Sequence, residues 1–109
     1  MSAYSQMLKG IMEGCILAIM EKQEVYGYEL SQLLQQYGFP HISEGSIYPL
    51  LLRMQKDKWI LGKMRSSPSG PKRKYYRLTP SGQKALREFR KNWQGLSLAV
   101  DRILNQSYF

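Results

Sequence analysis

Residues 66–79, Ser-Ser-Pro-Ser-Gly-Pro-Lys-Arg-Lys-Tyr-Tyr-Arg-Leu-Thr, leave the chain few options. A tip of Gly, Pro and Ser suits a turn rather than a helix, and a dense run of cations follows it. The flanking segments, residues 59–65 and 74–78, read as two short strands, so the whole is a β-hairpin. Residues 58–87 hold nine Lys or Arg and no acid; all eight acids of the chain lie outside that window. The net charge of +8 is therefore concentrated. Clustered cations on a flexible tip suit a nucleic-acid backbone, because each can neutralise a phosphate and release a counterion. The bland alternative is a solubilising face. Charge segregation, the hairpin and the helices before it favour nucleic acid.

With 109 residues, 43% of them hydrophobic, the chain makes one globular domain. No apolar run approaches the ~18 residues needed to span a bilayer. The first nine residues lack a charged stretch followed by an apolar one, which argues against secretion. The lone Cys15 falls among Ile11, Met12, Ile16 and Ile19 and reads as a small buried hydrophobe. A reducing, cytoplasmic setting is expected, with no membrane partner.

The first helix is predicted over residues 4–22, where Tyr4, Met7, Leu8, Ile11, Met12, Cys15, Ile16, Ile19 and Met20 form a broad stripe. A second runs over residues 26–37, with Leu30, Leu33 and Leu34 inward, and Gly38-Phe39-Pro40 stops it. Ser43 is the expected N-cap of a third, reaching residue 57 or 58, with Glu44 in its first turn. Pro49 conflicts with that start, since it lacks an interior N–H donor. A start at Ser46 would put it in the first turn instead, where that donor is unpaired anyway. The Ser43 start is retained, allowing for a kink. Ile47, Leu50, Leu51 and Met54 then face inward, Gly45, Ser46, Pro49, Arg53 and Lys56 face away, and Tyr48 lies on the flank. Thr79 and Pro80 open a fourth helix, as N-cap and first helical residue, which continues to residue 105 or 106.

Two helices joined by a turn, the second with small polar groups at its start, make a candidate helix-turn-helix. Approach to base edges requires a helix start free of bulky apolar residues. Ser43, Glu44, Gly45 and Ser46 satisfy this, and Ser46 and Tyr48 can hydrogen-bond to bases or phosphates. The order helix, helix, helix, strand, wing, strand, helix strengthens the case. The fold class is mostly α with a small β-hairpin, a winged helix-turn-helix with a C-terminal dimerisation helix. Residues 1–78 are expected to form a DNA-binding part and residues 79–109 a dimerisation helix, within one compact domain.

Gly27-Tyr28-Glu29-Leu30, the run from Ser43 to Leu51 (Ser-Glu-Gly-Ser-Ile-Tyr-Pro-Leu-Leu) and the run from Gly70 to Gly82 (Gly-Pro-Lys-Arg-Lys-Tyr-Tyr-Arg-Leu-Thr-Pro-Ser-Gly) resemble the PadR family of winged helix-turn-helix transcription regulators. The resemblance spans nearly the whole chain and is similar to the short subgroup with a single C-terminal helix. It implies a bacterial homodimeric repressor whose third helix enters the major groove of duplex DNA. Carried over by position, Ser43, Ser46, Tyr48 and Pro49 would lie at the groove, with Glu44 and Arg53 on the same helix. Lys72, Arg73 and Lys74 at the tip of the wing would lie at the backbone. Strand alternation turns one of Tyr75 and Tyr76 inward.

In the last helix Leu86, Phe89, Trp93, Leu96, Val100 and Ile103 are spaced 3, 4, 3, 4 and 3 apart, the seam a partner helix requires. It is short, so the stripe on the first helix is expected to add contacts. A dimer would set two recognition helices roughly 34 Å apart, one turn of DNA, and so predicts a palindromic operator. The other reading is a monomeric core helix. Trp93 has two readings as well: a packing knob, or one of a symmetry-related pair clamping a planar aromatic ligand. The resemblance extends to multidrug sensors built in the second way, which would place Trp93, Phe89, Leu96, Met7 and Ile11 around the ligand. Ser97 stands one turn on, where an acid would help attract a cation.

Catalysis has little to work with: one His, one apolar-flanked Cys, and no metal-ligand cluster, phosphate loop or nucleophile–base pair. His41 reads as a turn or interface residue. No cofactor and no metal are expected. The remaining competitor is an architectural or RNA-binding module without ligand control, against which a two-strand hairpin is a poor stacking platform for bases.

Overall fold

The computed structural model describes residues 3–40 and 42–105. His41 and residue 106, the alternative end of the last helix, lie outside the described residues. The elements are α1 (Ala3–Leu8), α2 (Met12–Lys22), β1 (Val25–Tyr26), α3 (Gly27–Gln36), α4 (Glu44–Lys56), β2 (Ile60–Ser67), β3 (Gly70–Leu78) and α5 (Pro80–Asn105). The three strands pair antiparallel in the order β1-β3-β2. A mostly helical chain thus carries a small sheet with a projecting hairpin, the winged-helix arrangement expected.

The expected first helix is two helices. Gly10 takes φ +82°, and Ile11 N–H donates to Leu8 O at 3.0 Å, so the chain turns there. Glycine adopts that left-handed conformation without steric cost and is a poor helix interior residue, which decides the break. The predicted stripe divides with it. α1 buries no residue and Met7 is 71% exposed, whereas Met12, Ile16, Ile19 and Met20 of α2 join the core, together with Leu17.

α4 starts where Ser43 caps it. The Ser43 side chain accepts from Ser46 N–H at 3.2 Å, and Ser43 N–H donates to Ser46 Oγ at 3.0 Å, a reciprocal box. Pro49 lies inside the helix rather than at its start. Burial of Ile47, Leu51 and Met54 holds the helix through the missing donor. At its other end Lys58 takes φ +63°, Lys58 N–H donates to Gln55 O and Trp59 N–H to Met54 O, each at 3.0 Å. This left-handed cap turns the chain straight into β2.

The strands run further than expected, leaving only Pro68 and Ser69 as the tip. The register pairs Ile60 with Leu78, Gly62 with Tyr76, and Met64 with Lys74 on one face; Leu61 with Arg77, Lys63 with Tyr75, and Arg65 with Arg73 share the other. β1 was not expected. It sets Val25 beside Tyr76 on the inner face and Tyr26 beside Tyr75 on the outer one. Val25 and Tyr76 are buried, so Tyr76 is the tyrosine that turns inward.

α5 opens as expected, with Gly82 N–H donating to Thr79 Oγ1 at 3.0 Å. Its first turns belong to the core. Leu86 is 1% exposed within its own chain, so it is a core residue and not part of a seam with a second copy, a correction to the expectation above. Phe89 is half-buried with its ring against Gly14 of α2. Arg90 pairs with Glu21 of α2 at 2.9 Å, which depresses the Glu21 carboxyl. Beyond this point α5 runs free of the body: Trp93 is 44% exposed, Leu96 58%, Val100 43% and Ile103 65%. The long dimension of 58 Å against 29 and 22 Å reflects that projection.

Candidate nucleic-acid interface

Ile47, Leu51 and Met54 point α4 into the core, which turns Gly45, Tyr48, Pro49, Leu52 and Lys56 outward on one line at i, i+3, i+4, i+7 and i+11. No acid lies on that line. At its head, Ser43 and Ser46 are occupied with each other, Ser46 Oγ also donating to Ser43 O at 2.8 Å. They hold the helix start in shape and keep it small, and most of their bonding capacity is spent there. Ser43→Ala is expected to lower stability by about 1 kcal/mol, read as a drop in the thermal midpoint.

Glu44 and Arg53, the other two residues of this helix expected at DNA, are exposed and have partners within the chain. The Glu44 carboxylate lies against Gly27 at the start of α3, 3.2 Å from where a side chain there would begin. Arg53 reaches back to α2, its Nη2 2.8 Å and its Nε 2.9 Å from Glu13 Oε2. That pair is half in solvent and individually weak, so it steadies α4 against α2 without locking Arg53 away.

The wing differs more from expectation. Lys72, Arg73 and Lys74 are not at the tip but along β3, and alternation divides them: Lys72 and Lys74 share the face of Tyr76, Arg73 the face of Tyr75. The Lys74 stem crosses Gly62 beside Gln55 of α4, with its Nζ 5.8 Å from the centre of the Tyr76 ring. Wing and recognition helix therefore meet at this point. On the outer face the Arg73 guanidinium sits 4.4 Å over the Tyr26 ring and that of Arg65 5.1 Å over Tyr75. Tyr26 and Tyr75 meet edge to face at 5.4 Å, and Arg65 pairs with Glu24. Lys63 and Arg65 are wing cations that no single motif marked out, although the acid-free window contained them, and Arg77 stands in the run from Gly70 to Gly82 without an assigned role.

Burial first, then the neighbouring Tyr48 and Glu44, pushes the Tyr76 phenol above its ordinary value, so it stays a neutral packing group. Burial likewise pushes the Cys15 thiol up, away from a reactive thiolate. An open apolar concavity of about 1080 Å³ lies behind α4, between α1 and the start of α2, lined by residues including Tyr4, Leu8, Met12, Ile47 and Leu50. Trp93, Phe89, Leu96, Met7 and Ile11 are not among its lining residues. Among the described residues there is no cluster of three or more potential metal ligands, and no helix long and apolar enough to cross a membrane.

The family model for the transcriptional regulator PadR-like family matches residues 16–88. A PadR-like transcriptional regulator from Bacillus cereus has the same fold at TM-score 0.84 and 56% identity, covering 91% of this chain and 96% of that one. A transcriptional regulator of Mycobacterium tuberculosis is 36% identical over 77 residues, 71% of this chain and 70% of that protein. Bacillus subtilis PadR in complex with operator DNA shares the fold at TM-score 0.66 and 23% identity, over 73% of this chain and 46% of that one. The chain belongs to the PadR-like family of transcriptional regulators; the family consists of regulators, not enzymes.

Proposed function

We propose that this chain is a cytoplasmic, homodimeric transcriptional repressor that reads a palindromic operator with α4 and grips flanking phosphates with its wing. One observation carries the reading: α4 adjoins an acid-free wing at the Gln55–Gly62–Lys74 contact, which sets the wing face of Lys72 and Lys74 beside the helix, with Arg73 on the other face of the same strand. Operator binding by the Bacillus subtilis protein of the same fold supports it. Residues 1–78 would form the reading head and residues 79–109 the joining helix, although the first turns of α5 also complete the core. Tyr48 and Pro49 would meet the groove, Ser43 and Ser46 would shape the approach, and Lys72, Arg73 and Lys74 would meet phosphate.

The test is charge removal. Lys72→Ala with Arg73→Ala should weaken binding to every duplex alike and reduce the salt slope of the bound dimer by roughly 3.6, about 0.9 for each of the four phosphates no longer neutralised. Unchanged affinity at low and moderate salt would exclude the wing as a phosphate clamp.

The dimer would be joined by Trp93, Leu96, Val100 and Ile103, with Phe89 at the edge of the seam. A planar aromatic ligand at its centre would release the repressor from DNA. Trp93 would clamp the ligand, with Phe89, Leu96, Met7 and Ile11 around it, a seat that a second copy would have to complete. Trp59 is half-buried at the base of the wing and Trp93 is exposed, so the two tryptophans report separately. Planar cationic and neutral dyes are expected to quench Trp93 emission, and Trp93→Ala should abolish both the quenching and the binding while Trp59 emission persists. No quenching across a broad panel would leave Trp93 as a packing residue.

A further inference from the structure

β1 is two residues long, yet it fixes Tyr26 opposite Tyr75, on the outer face of the wing. That placement puts the Tyr26 ring under Arg73, 4.4 Å from its guanidinium carbon, and against Tyr75 edge to face. Arg65, directly opposite Arg73 in the register, stacks on Tyr75 in turn, and Glu24, one residue before β1, pairs with Arg65. The outer face therefore carries a connected row in which a pair of rings is flanked by a cation at each end.

The chemistry of a stacked guanidinium is specific. Where the group lies flat on a ring, the ring covers its face, while its N–H groups lie in the plane of the guanidinium and point outward from the edge. Stacking and phosphate binding thus use different parts of the same group and do not compete. Arg73 pairs with no carboxylate among the described residues, whereas Arg65 spends part of its edge on Glu24. An unstacked arginine on a wing would have to lose its side-chain freedom on meeting a phosphate. Arg73 has already lost much of it.

We infer that Tyr26 is a positioning residue for nucleic-acid binding: its ring holds Arg73 edge-outward so that the guanidinium meets a backbone phosphate oxygen with little reordering. The inference rests on the reading of the wing as a phosphate clamp and adds to it a residue 47 positions away in sequence that carries no charge. β1 is the device that brings it there.

The experiment is a cycle on the full chain with one operator-length duplex across a salt series, using Tyr26→Leu, Tyr26→Phe, Arg73→Ala and Tyr26→Leu with Arg73→Ala. Thermal melts identify any variant that fails to fold. Tyr26→Leu should weaken binding about three- to tenfold, in the range of a cation–π contact. Tyr26→Phe should bind as the parent does, because the ring and not the hydroxyl is the working part. In the Arg73→Ala background Tyr26→Leu should add less than about twofold, as coupled residues are non-additive. A full further loss in that background, or a Tyr26→Phe loss equal to that of leucine, would overturn the inference while sparing the clamp. No effect of Arg73→Ala on affinity or salt slope would instead remove Arg73 as a phosphate contact, and the inference with it. Should Tyr26→Leu melt early, Tyr26→Ile alone and Tyr26→Ile with Arg73→Ala supply the same comparison.

Discussion

On the proposed pairing through α5, Leu96→Asp combined with Ile103→Asp is expected to give a folded monomer without preference for a two-half-site operator, leaving only weak, salt-sensitive binding to any duplex. The folded chain has little to lose at these positions, because they are 58% and 65% exposed on the projecting part of α5. A joined pair has much to lose. Burying a Leu or Ile side chain contributes about 2 kcal/mol, and two-fold symmetry presents each substitution twice. Four carboxylates would also have to be desolvated at close range. A weakening of at least about 10³ in self-association follows, equivalent to about 4 kcal/mol. Sedimentation reads the association, and a melt within a few degrees of the parent shows that the fold is intact. A variant that still sediments as a pair would mean the joining surface lies elsewhere.

Gly82→Ala will have the largest effect on stability. A Cβ at residue 82 would stand 2.0 Å from the Trp59 carbonyl oxygen and 3.1 Å from Leu78 Cδ2. The first contact is with backbone, which cannot rotate aside. That backbone is also pinned from both directions. Thr79 N–H donates to Trp59 O at 3.1 Å, Thr79 Oγ1 donates to Lys58 O at 2.6 Å, and Lys58 is held at φ +63°. Relief of the clash would move the start of α5 off the start of β2 and break these bonds. Overpacking of this kind costs about 3 kcal/mol, a fall of roughly 12–24 °C in the melting midpoint for a domain of this size. Gly95→Ala, on the same helix but with nothing within 4 Å of the added carbon, is the control and should not lower the midpoint. Equal midpoints for the two variants would contradict the close approach.

Local chemistry was readable wherever one residue type forces one geometry. Ser43 capped α4, Thr79 capped α5, and the Pro/Ser/Gly stretch turned the wing, because each satisfies or refuses specific backbone groups. The two expectations for Tyr75 and Tyr76 resolved by the rule of alternation once the register was known. The break at Gly10 is not legible in the pattern, because the apolar spacing is sustained on either side of it and a left-handed backbone leaves no mark on that spacing. β1 escaped because two residues cannot display a period; only its partner Tyr76 gives Val25 and Tyr26 their faces.

The candidate site divides along the same line. The acid-free window announced a cationic wing, but treating Lys72, Arg73 and Lys74 as one cluster ignored that a strand sends neighbours to opposite sides. The sequence places Arg53 and Glu44 on the recognition helix, but their neighbours, Glu13 and Gly27, come from elements packed against α4 and leave no mark on its spacing. Leu86 fits the seam spacing equally well whether it packs on its own core or on another copy. Its burial in the single chain decides the matter.

Selection of bound fragments from the host genome addresses the central claim most directly, because it reads symmetry, spacing and selectivity together. Two heads joined through α5 predict enriched sites made of inverted half-sites whose centres lie roughly 10 base pairs apart, one helical turn. Recovery of unrepeated single sites, or of no enriched site at all, would contradict the account.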